Sequence, residues 1–158
     1  MSPPARPRVD RVLAFRRGER MFGIEGRACR EVTTLASLTS VPLAGAGLLG
    51  VGNLRGALLP VIDLAPLLGL AAEPWTCPLP VHVTAVDGFL AGLAIDEVAG
   101  FEPWPAGEPL PLDAGEPEPL RSVARGSLPF RDGRVIRLDV RAVLDLARGR
   151  LAAGDVAS

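Results

Sequence analysis

The chain repeats one order of predicted elements twice, and this repetition limits its possible folds more than any other feature. Each copy consists of a hairpin, a further strand, a second hairpin and a short helix. Ile24-Glu25 ends the first hairpin of one copy, and Ile95-Asp96 is the matching dipeptide of the other. Because consecutive hairpins close most easily into antiparallel sheets, the pattern predicts an all-β chain with short helices. We expect two small barrel-like halves related by a pseudo-twofold axis.

Two aspartates mark the same point in each copy. Asp63 and Asp139 each follow an apolar strand and precede an amphipathic run. A carboxylate at a helix start accepts hydrogen bonds from free backbone N–H groups and lies at the favourable end of the helix dipole. We therefore interpret both residues as structural helix caps and not as acid–base catalysts. The two helices are expected to end at Gly69 and at Gly149.

The repeated region defines one domain. We expect residues 9–148 to fold together, residues 1–8 to form a disordered N-terminal tail and residues 149–158 to form a C-terminal tail. Residues 102–119 contain six prolines, five acidic residues and no basic residue. This composition predicts an extended, solvated loop, and an acidic or polyproline docking segment is the alternative.

The charge balance argues against a nucleic-acid partner. The chain has 17 basic and 18 acidic residues, and the basic ones are scattered along it. Affinity for nucleic acid comes largely from a clustered excess of basic side chains. Small barrels do bind oligonucleotides, so this remains an alternative, but it requires a basic groove with stacking aromatic residues. The chain contains two Trp, five Phe and no Tyr.

No spacing of residues supports catalysis or metal binding. Cys29 and Cys77 lie far apart, with no second Cys or His at ligand spacing. His82, the single histidine, is expected to be solvated on the polar face of its strand. Gly45-Ala46-Gly47-Leu48-Leu49-Gly50 fits the dinucleotide fingerprint, but a strand is predicted where that motif needs a helix. We predict no catalytic residues, no cofactor and no metal.

Residues 50–64 resemble the most recognisable segment of the CheW-like domains, the family of chemotaxis coupling proteins. The segment reads Asn53-Leu54-Arg55-Gly56, then an apolar strand with Pro60-Val61, then Asp63-Leu64. The resemblance continues in register through residues 22–25, 30–32, 93–98 and 138–146. It therefore covers nearly the whole chain.

The resemblance implies both a fold and a function. The implied fold is two intertwined five-stranded β-barrels of SH3-like type around a shared core. The implied function is a non-catalytic adaptor that couples the cytoplasmic tip of a methyl-accepting chemoreceptor to the regulatory domain of a CheA-type histidine kinase. Such a protein is cytoplasmic and peripheral to membrane receptor arrays, with no direct membrane insertion and no nucleic-acid partner. A CheW-like scaffold of a non-flagellar pathway, such as one for pili, is the alternative.

The resemblance also implies a partner-binding site. Its residues are Glu31 and Val32 together with the turn Asn53-Leu54-Arg55-Gly56. Arg55 is expected to pair with Glu31 across a groove, because a guanidinium can hold a carboxylate and still donate to a partner. In the alternative interpretation Arg55 only stabilises its turn, where Gly56 supplies backbone freedom.

Overall fold

The computed structural model describes residues 10–41, 45 and 47–157. The predicted N-terminal tail, residues 1–8, lies outside them. Within the described residues the strands are β1 (Arg11–Arg17), β2 (Arg20–Glu25), β3 (Cys29–Leu35), β4 (Leu48–Leu54), β5 (Ala57–Ile62), β6 (Leu79–Val86), β7 (Phe89–Ala94), β8 (Glu97–Pro103), β9 (Ala124–Phe130) and β10 (Gly133–Leu138). The helices are α1 (Leu64–Leu68), α2 (Glu118–Val123) and α3 (Val140–Ala157), with a 3-10 turn at Gly26–Ala28.

The strands form two five-stranded sheets that exchange strands between the sequence copies. Sheet A has the order β8-β1-β2-β10-β9, and sheet B has the order β3-β6-β7-β5-β4. Moving every strand of sheet A five places along the chain gives the order of sheet B, as a duplication requires. Sheet A takes β1 and β2 from the first copy and its other strands from the second. The predicted fold, mostly β with two intertwined five-stranded units, is confirmed.

The strand registers correct one detail of the repeat. β2 pairs in parallel with β10 through Gly23 and Arg137, and β7 pairs with β5 through Gly92 and Val61. Gly23 therefore corresponds to Gly92, and the predicted match of Ile24-Glu25 with Ile95-Asp96 was wrong. Ile24 lies in a strand whereas Ile95 lies in the turn after β7, and burial favours an apolar residue at both places.

Three clusters of buried side chains form the core. One lies against the inner face of each sheet, and the third lies between the outer faces of both sheets and contacts all three helices. Neither sheet can bury its outer face without the other. Representative members are Leu59, Val61 and Val81 in sheet B, Val12, Ala14 and Val135 in sheet A, and Phe15, Phe22, Ile62, Leu93 and Leu138 in the shared cluster.

The burial of His82 contradicts the predicted solvated position. Its side chain is 0% exposed, lies in register with Leu93 and packs with its ring centre 6.1 Å from that of Phe15. Strand β6 is covered on both faces, one by the cluster of sheet B and the other by the shared cluster. The alternation of apolar and polar residues along this strand therefore does not identify a face exposed to solvent. Burial lowers the pKa of His82 from 6.5 to about 4. Neither ring nitrogen has a hydrogen-bond partner among the described residues.

The two helix ends behave differently from each other. Helix α1 ends at Gly69, which adopts a left-handed φ of 78° as a helix cap. Helix α3 continues through Gly149 to Ala157, so the predicted end there was wrong and residues 149–157 of the predicted tail are helical. A glycine costs only about 1 kcal/mol inside a helix, and the strong helix formers that follow in the sequence offset it.

The acidic, proline-rich segment, residues 102–119, is anchored to the domain although much of it is exposed. Leu110 and Ser127 of β9 exchange two backbone hydrogen bonds of 2.9 and 2.8 Å. The Glu116 carboxylate pairs with both terminal nitrogens of Arg20. The expectation of a solvated loop was therefore wrong at these points. Prolines on both sides of Leu110 prevent a longer strand but do not prevent pairing at one residue.

Glycines allow this edge contact in both copies. A Cβ on Gly126 would lie 2.7 Å from the carbonyl oxygen of Leu110. In the first copy Thr39 pairs with Val51, and a Cβ on Gly50 would lie 2.5 Å from the Thr39 carbonyl oxygen. The duplication therefore extends to the isolated contacts that cover β4 and β9.

Gly126→Ala is expected to lower the free energy of unfolding by about 2 kcal/mol, because the methyl group meets the Leu110 carbonyl and the residue has a φ of 98°. Urea unfolding monitored by circular dichroism measures the change. Gly133→Ala is the control, since a Cβ there meets no atom within 4 Å. We expect it to change stability by less than about 0.5 kcal/mol. Equal losses in the two variants would contradict the steric explanation.

Candidate partner-binding site

The predicted site is built on the hairpin of β4 and β5. Its two-residue turn places Arg55 at a φ of 50° and Gly56 at a φ of 88°. A hairpin turn of type I′ requires positive φ at both positions, which suits glycine and strains most other residues. The Asn53 side-chain oxygen accepts a hydrogen bond of 2.8 Å from the Gly56 backbone N–H, and this contact holds the turn. The turn projects the Arg55 side chain, which is 70% exposed, from the end of the hairpin.

Arg55 and Glu31 form an ion pair between the turn and β3. A terminal guanidinium nitrogen of Arg55 lies 2.6 Å from a carboxylate oxygen of Glu31. This is the only side-chain hydrogen bond that Arg55 makes with the described residues. Since a guanidinium carries five N–H donors, most of those of Arg55 remain available.

A pocket of about 450 Å³ opens at this end of sheet B. We call it the sheet B pocket. Of the predicted partner-binding residues, Glu31, Leu54 and Arg55 line it together, whereas Val32, Asn53 and Gly56 do not. Val32 is a half-exposed residue of β3 in register with the buried His82. The complete lining is Arg30, Glu31, Leu54, Arg55, Val83, Ala85, Gly88 and Leu90.

Arg30 is a pocket residue that sequence reasoning missed. Cys29 pairs with Thr84 and Glu31 pairs with Val83, so Arg30 is the extra residue of a β-bulge. A bulge redirects side chains, and here two consecutive residues line one pocket instead of alternating between faces. No local sequence signal reveals this bulge, because it depends on pairing with a distant strand.

A second opening, of about 520 Å³, lies where the two sheets meet. Three arginines on its walls are each held by a carboxylate. We call this opening the junction groove. Val86 lines it and is the last residue of β6 before the hairpin turn. Arg17 occupies the matching position at the end of β1 in the first copy. Arg17 is buried against Asp63, whereas the shorter Val86 leaves its own junction open. The ion pairs of the groove are Arg125 with Asp139, Arg137 with Glu25, and Arg141 with Asp87.

A family model described as the CheW-like domain matches residues 11–148. The chain belongs to the CheW-like family. The chemotaxis protein CheW of Rhizobium meliloti is 36% identical over 129 residues, which are 80% of this chain and 81% of that protein. Protein FrzA of Myxococcus xanthus is 28% identical over 115 residues, covering 73% of this chain and 71% of that protein.

Further similarities agree with this membership. Protein PilI of Pseudomonas aeruginosa is 34% identical over 93 residues, which are 59% of this chain and 52% of that protein. The crystal structure of the scaffolding protein TtCheW from Thermoanaerobacter tengcongensis superposes with a TM-score of 0.73 at 22% identity. The superposition covers 89% of this chain and 90% of the TtCheW chain, which shows that the two proteins share a fold.

In this CheW-like domain the two helix-starting aspartates have different surroundings. The Asp63 carboxylate accepts a hydrogen bond of 3.0 Å from the Ala65 N–H at the start of α1. It also accepts two bonds of 2.8 Å from Arg17 and one of 2.8 Å from the Trp75 indole N–H. Asp139 accepts a bond of 3.1 Å from the Ala142 N–H and is more exposed. The hydrogen bond to Asp63 raises the pKa of Arg17 above its usual value, so the buried guanidinium stays charged.

The described residues of the CheW-like chain contain no cluster of three or more His, Cys, Asp or Glu side chains arranged to hold a metal ion. Within the fingerprint-like stretch, residues 48–50 belong to strand β4 and not to a helix. Among the helices that the structure describes, none is both long and apolar enough to cross a membrane.

Proposed function

We propose that this CheW-like protein is a non-catalytic adaptor that couples the cytoplasmic tip of a methyl-accepting chemoreceptor to a CheA-type histidine kinase. The observation that carries the proposal is the Arg55–Glu31 pair on the rim of the sheet B pocket. A strained turn holds Arg55 outward, and most of its donors are unused. The arrangement suits an exposed polar contact with another protein, since arginine is enriched where interfaces gain most of their energy.

An adaptor must contact two partners, and the fold provides two separate openings. The sheet B pocket and the junction groove share no lining residue, although strand β6 lines both of them. In this proposal the protein acts in the cytoplasm, peripheral to membrane receptor arrays, and it uses no cofactor, binds no nucleic acid and does not insert into the membrane. A relative named chemotaxis protein CheW at 36% identity supports this assignment.

A second candidate is a scaffold of a non-flagellar chemosensory pathway, such as one for pili. Two relatives of comparable similarity carry names other than CheW, namely PilI and FrzA. The two candidates share the adaptor role and the site, and they differ in the receptor and the kinase. Deleting the gene and scoring flagellar and pilus-driven motility separately distinguishes them.

The test is co-sedimentation of the protein with receptor-containing membranes and the histidine kinase of the same organism. Arg55→Glu is expected to reduce kinase recruitment at least about tenfold, because it replaces the donor with a charge that repels Glu31 and a partner's acidic groups. The variant should remain folded, since Arg55 is an exposed turn residue.

Arg121→Glu is the control for the co-sedimentation, because Arg121 is an exposed residue of α2 and lies outside the sheet B pocket. It should recruit kinase as the wild type does. Normal recruitment by a folded Arg55→Glu protein would exclude this site. Absence of recruitment by the wild type would exclude the coupling function itself.

A further inference from the structure

The sheet B pocket combines an apolar interior with a charged rim. Leu54, Val83 and Leu90 supply apolar wall, and Val83 belongs to the buried cluster of sheet B. The rim carries Arg30, Arg55 and Glu31. Two guanidinium groups and one carboxylate leave the rim with one uncompensated positive charge.

That charge resides on groups that are free to bind. Arg30 is exposed, and it forms neither an ion pair nor a side-chain hydrogen bond with any residue that the structure describes. Arg55 gives Glu31 a single hydrogen bond. The β-bulge at Arg30 places its side chain on the same pocket as its neighbour Glu31, so both arginines face one opening. A carboxylate that enters there can accept hydrogen bonds from both guanidinium groups.

The duplicated fold supplies an internal comparison at the matching end of sheet A. Strand β8 has the same bulge, because Ala14 pairs with Gly100 and Phe15 pairs with Val98, leaving Ala99 as the extra residue. The position of Arg30 is therefore an alanine there. A Cβ on Gly100 would lie 3.0 Å from the Arg131 guanidinium. The Arg131 side chain therefore lies over the bulge of β8.

We infer that the sheet B pocket receives an acidic residue adjacent to an apolar residue from a segment of a protein partner. The apolar side chain packs against Leu54 and Leu90, and its acidic neighbour pairs with Arg30 and Arg55. The inference rests on the proposed function in taking the partner to be a protein. It adds the chemistry by which one end of the domain, and not the matching end of sheet A, is recognised.

The experiment is selection of a phage-displayed random heptapeptide library on the immobilised full chain. Selection on the wild type should enrich peptides in which Leu, Ile or Phe is next to Asp or Glu. Selection on the double variant Arg30→Gln, Arg55→Gln should not. Arg121→Gln is the matched control and should select the same peptides as the wild type.

The affinity of a synthetic peptide taken from the selection then shows how much its acidic residue contributes to binding. Replacing its Asp or Glu by the amide should weaken binding to the wild type about fivefold, the upper range for an exposed ion pair, and should not change binding to the double variant. The inference is overturned if no sequence is enriched, if enriched peptides lack an acid, or if the double variant selects the same peptides. None of these outcomes depends on whether the kinase is recruited in the co-sedimentation, so the two proposals fail separately.

Discussion

Asp63→Ala is expected to lower the free energy of unfolding by about 3–5 kcal/mol, the loss typical of removing one partner from a buried ion pair. The Arg17 and Asp63 side chains are 3% and 5% exposed. Without the carboxylate, the Arg17 guanidinium remains buried beneath the ring of Trp75, whose centre lies 4.2 Å away, and its remaining ionic partner is the Asp96 carboxylate at 3.8 Å. The Trp75 and Ala65 N–H groups lose an acceptor as well. Urea unfolding followed by circular dichroism measures the loss.

The internal duplication provides the control for Asp63. Asp139 occupies the equivalent position at the start of α3, but its partner Arg125 is 59% exposed and can be solvated when the carboxylate is removed. Asp139→Ala should therefore cost about 1 kcal/mol, the usual value of a helix cap. A loss of similar size in the two variants would show that Asp63 acts only as a cap and that its ion pair adds nothing.

The stability of the protein is expected to fall by about 3 kcal/mol as the pH decreases from 6.5 to 4, because His82 is buried in its neutral form. Its pKa in the folded protein is about 4, below the value of 6.5 expected in the unfolded chain. Between these values the unfolded chain binds a proton that the folded protein does not bind. The contribution is therefore complete above pH 6.5 and is lost as the pH falls towards 4. Urea midpoints measured across this range test the expectation.

His82→Phe should flatten that pH dependence, since the chain has no other histidine. Phenylalanine is close in shape to histidine and has no ring nitrogens to leave unpaired. The pKa values of the Asp87 and Asp139 carboxyl groups are lowered below the ordinary 3.8. In the folded protein these two groups therefore titrate below the range of pH 4 to 6.5 in which His82 acts. An unchanged slope in the variant would contradict the assignment to His82.

Local sequence signals predicted the features that depend on neighbouring residues. The hairpin turn at Arg55-Gly56 is present where the alternation of strand and turn residues indicated it, and α1 begins after Asp63 and ends at Gly69. In each case the responsible interaction lies within a few residues. The exchange of strands between the copies was expected from the family resemblance and not from any periodicity in the chain.

Features that depend on distant strands were not predictable in this way. The single apolar–polar alternation around His82 does not reveal that a second sheet covers the other face of its strand. The bulge that brings Arg30 into the sheet B pocket depends on the register with β6. The burial of Arg17 depends on Asp63, which lies in a different hairpin unit. Charged residues inside a core carry no local signal, because only their partners make burial tolerable.

The exchange of strands has a consequence for the ancestry of the fold. Because the two sheets have the same order after a shift of five strands, a chain carrying only one copy can complete both sheets by associating with a second molecule of itself. Tandem fusion of two such subunits yields the present topology without rearranging any strand. After fusion, the bulge-bearing end of sheet A and the bulge-bearing end of sheet B no longer have to be identical in sequence. The arginine on one bulge and the alanine on the other are a divergence that a symmetric dimer of identical chains cannot make.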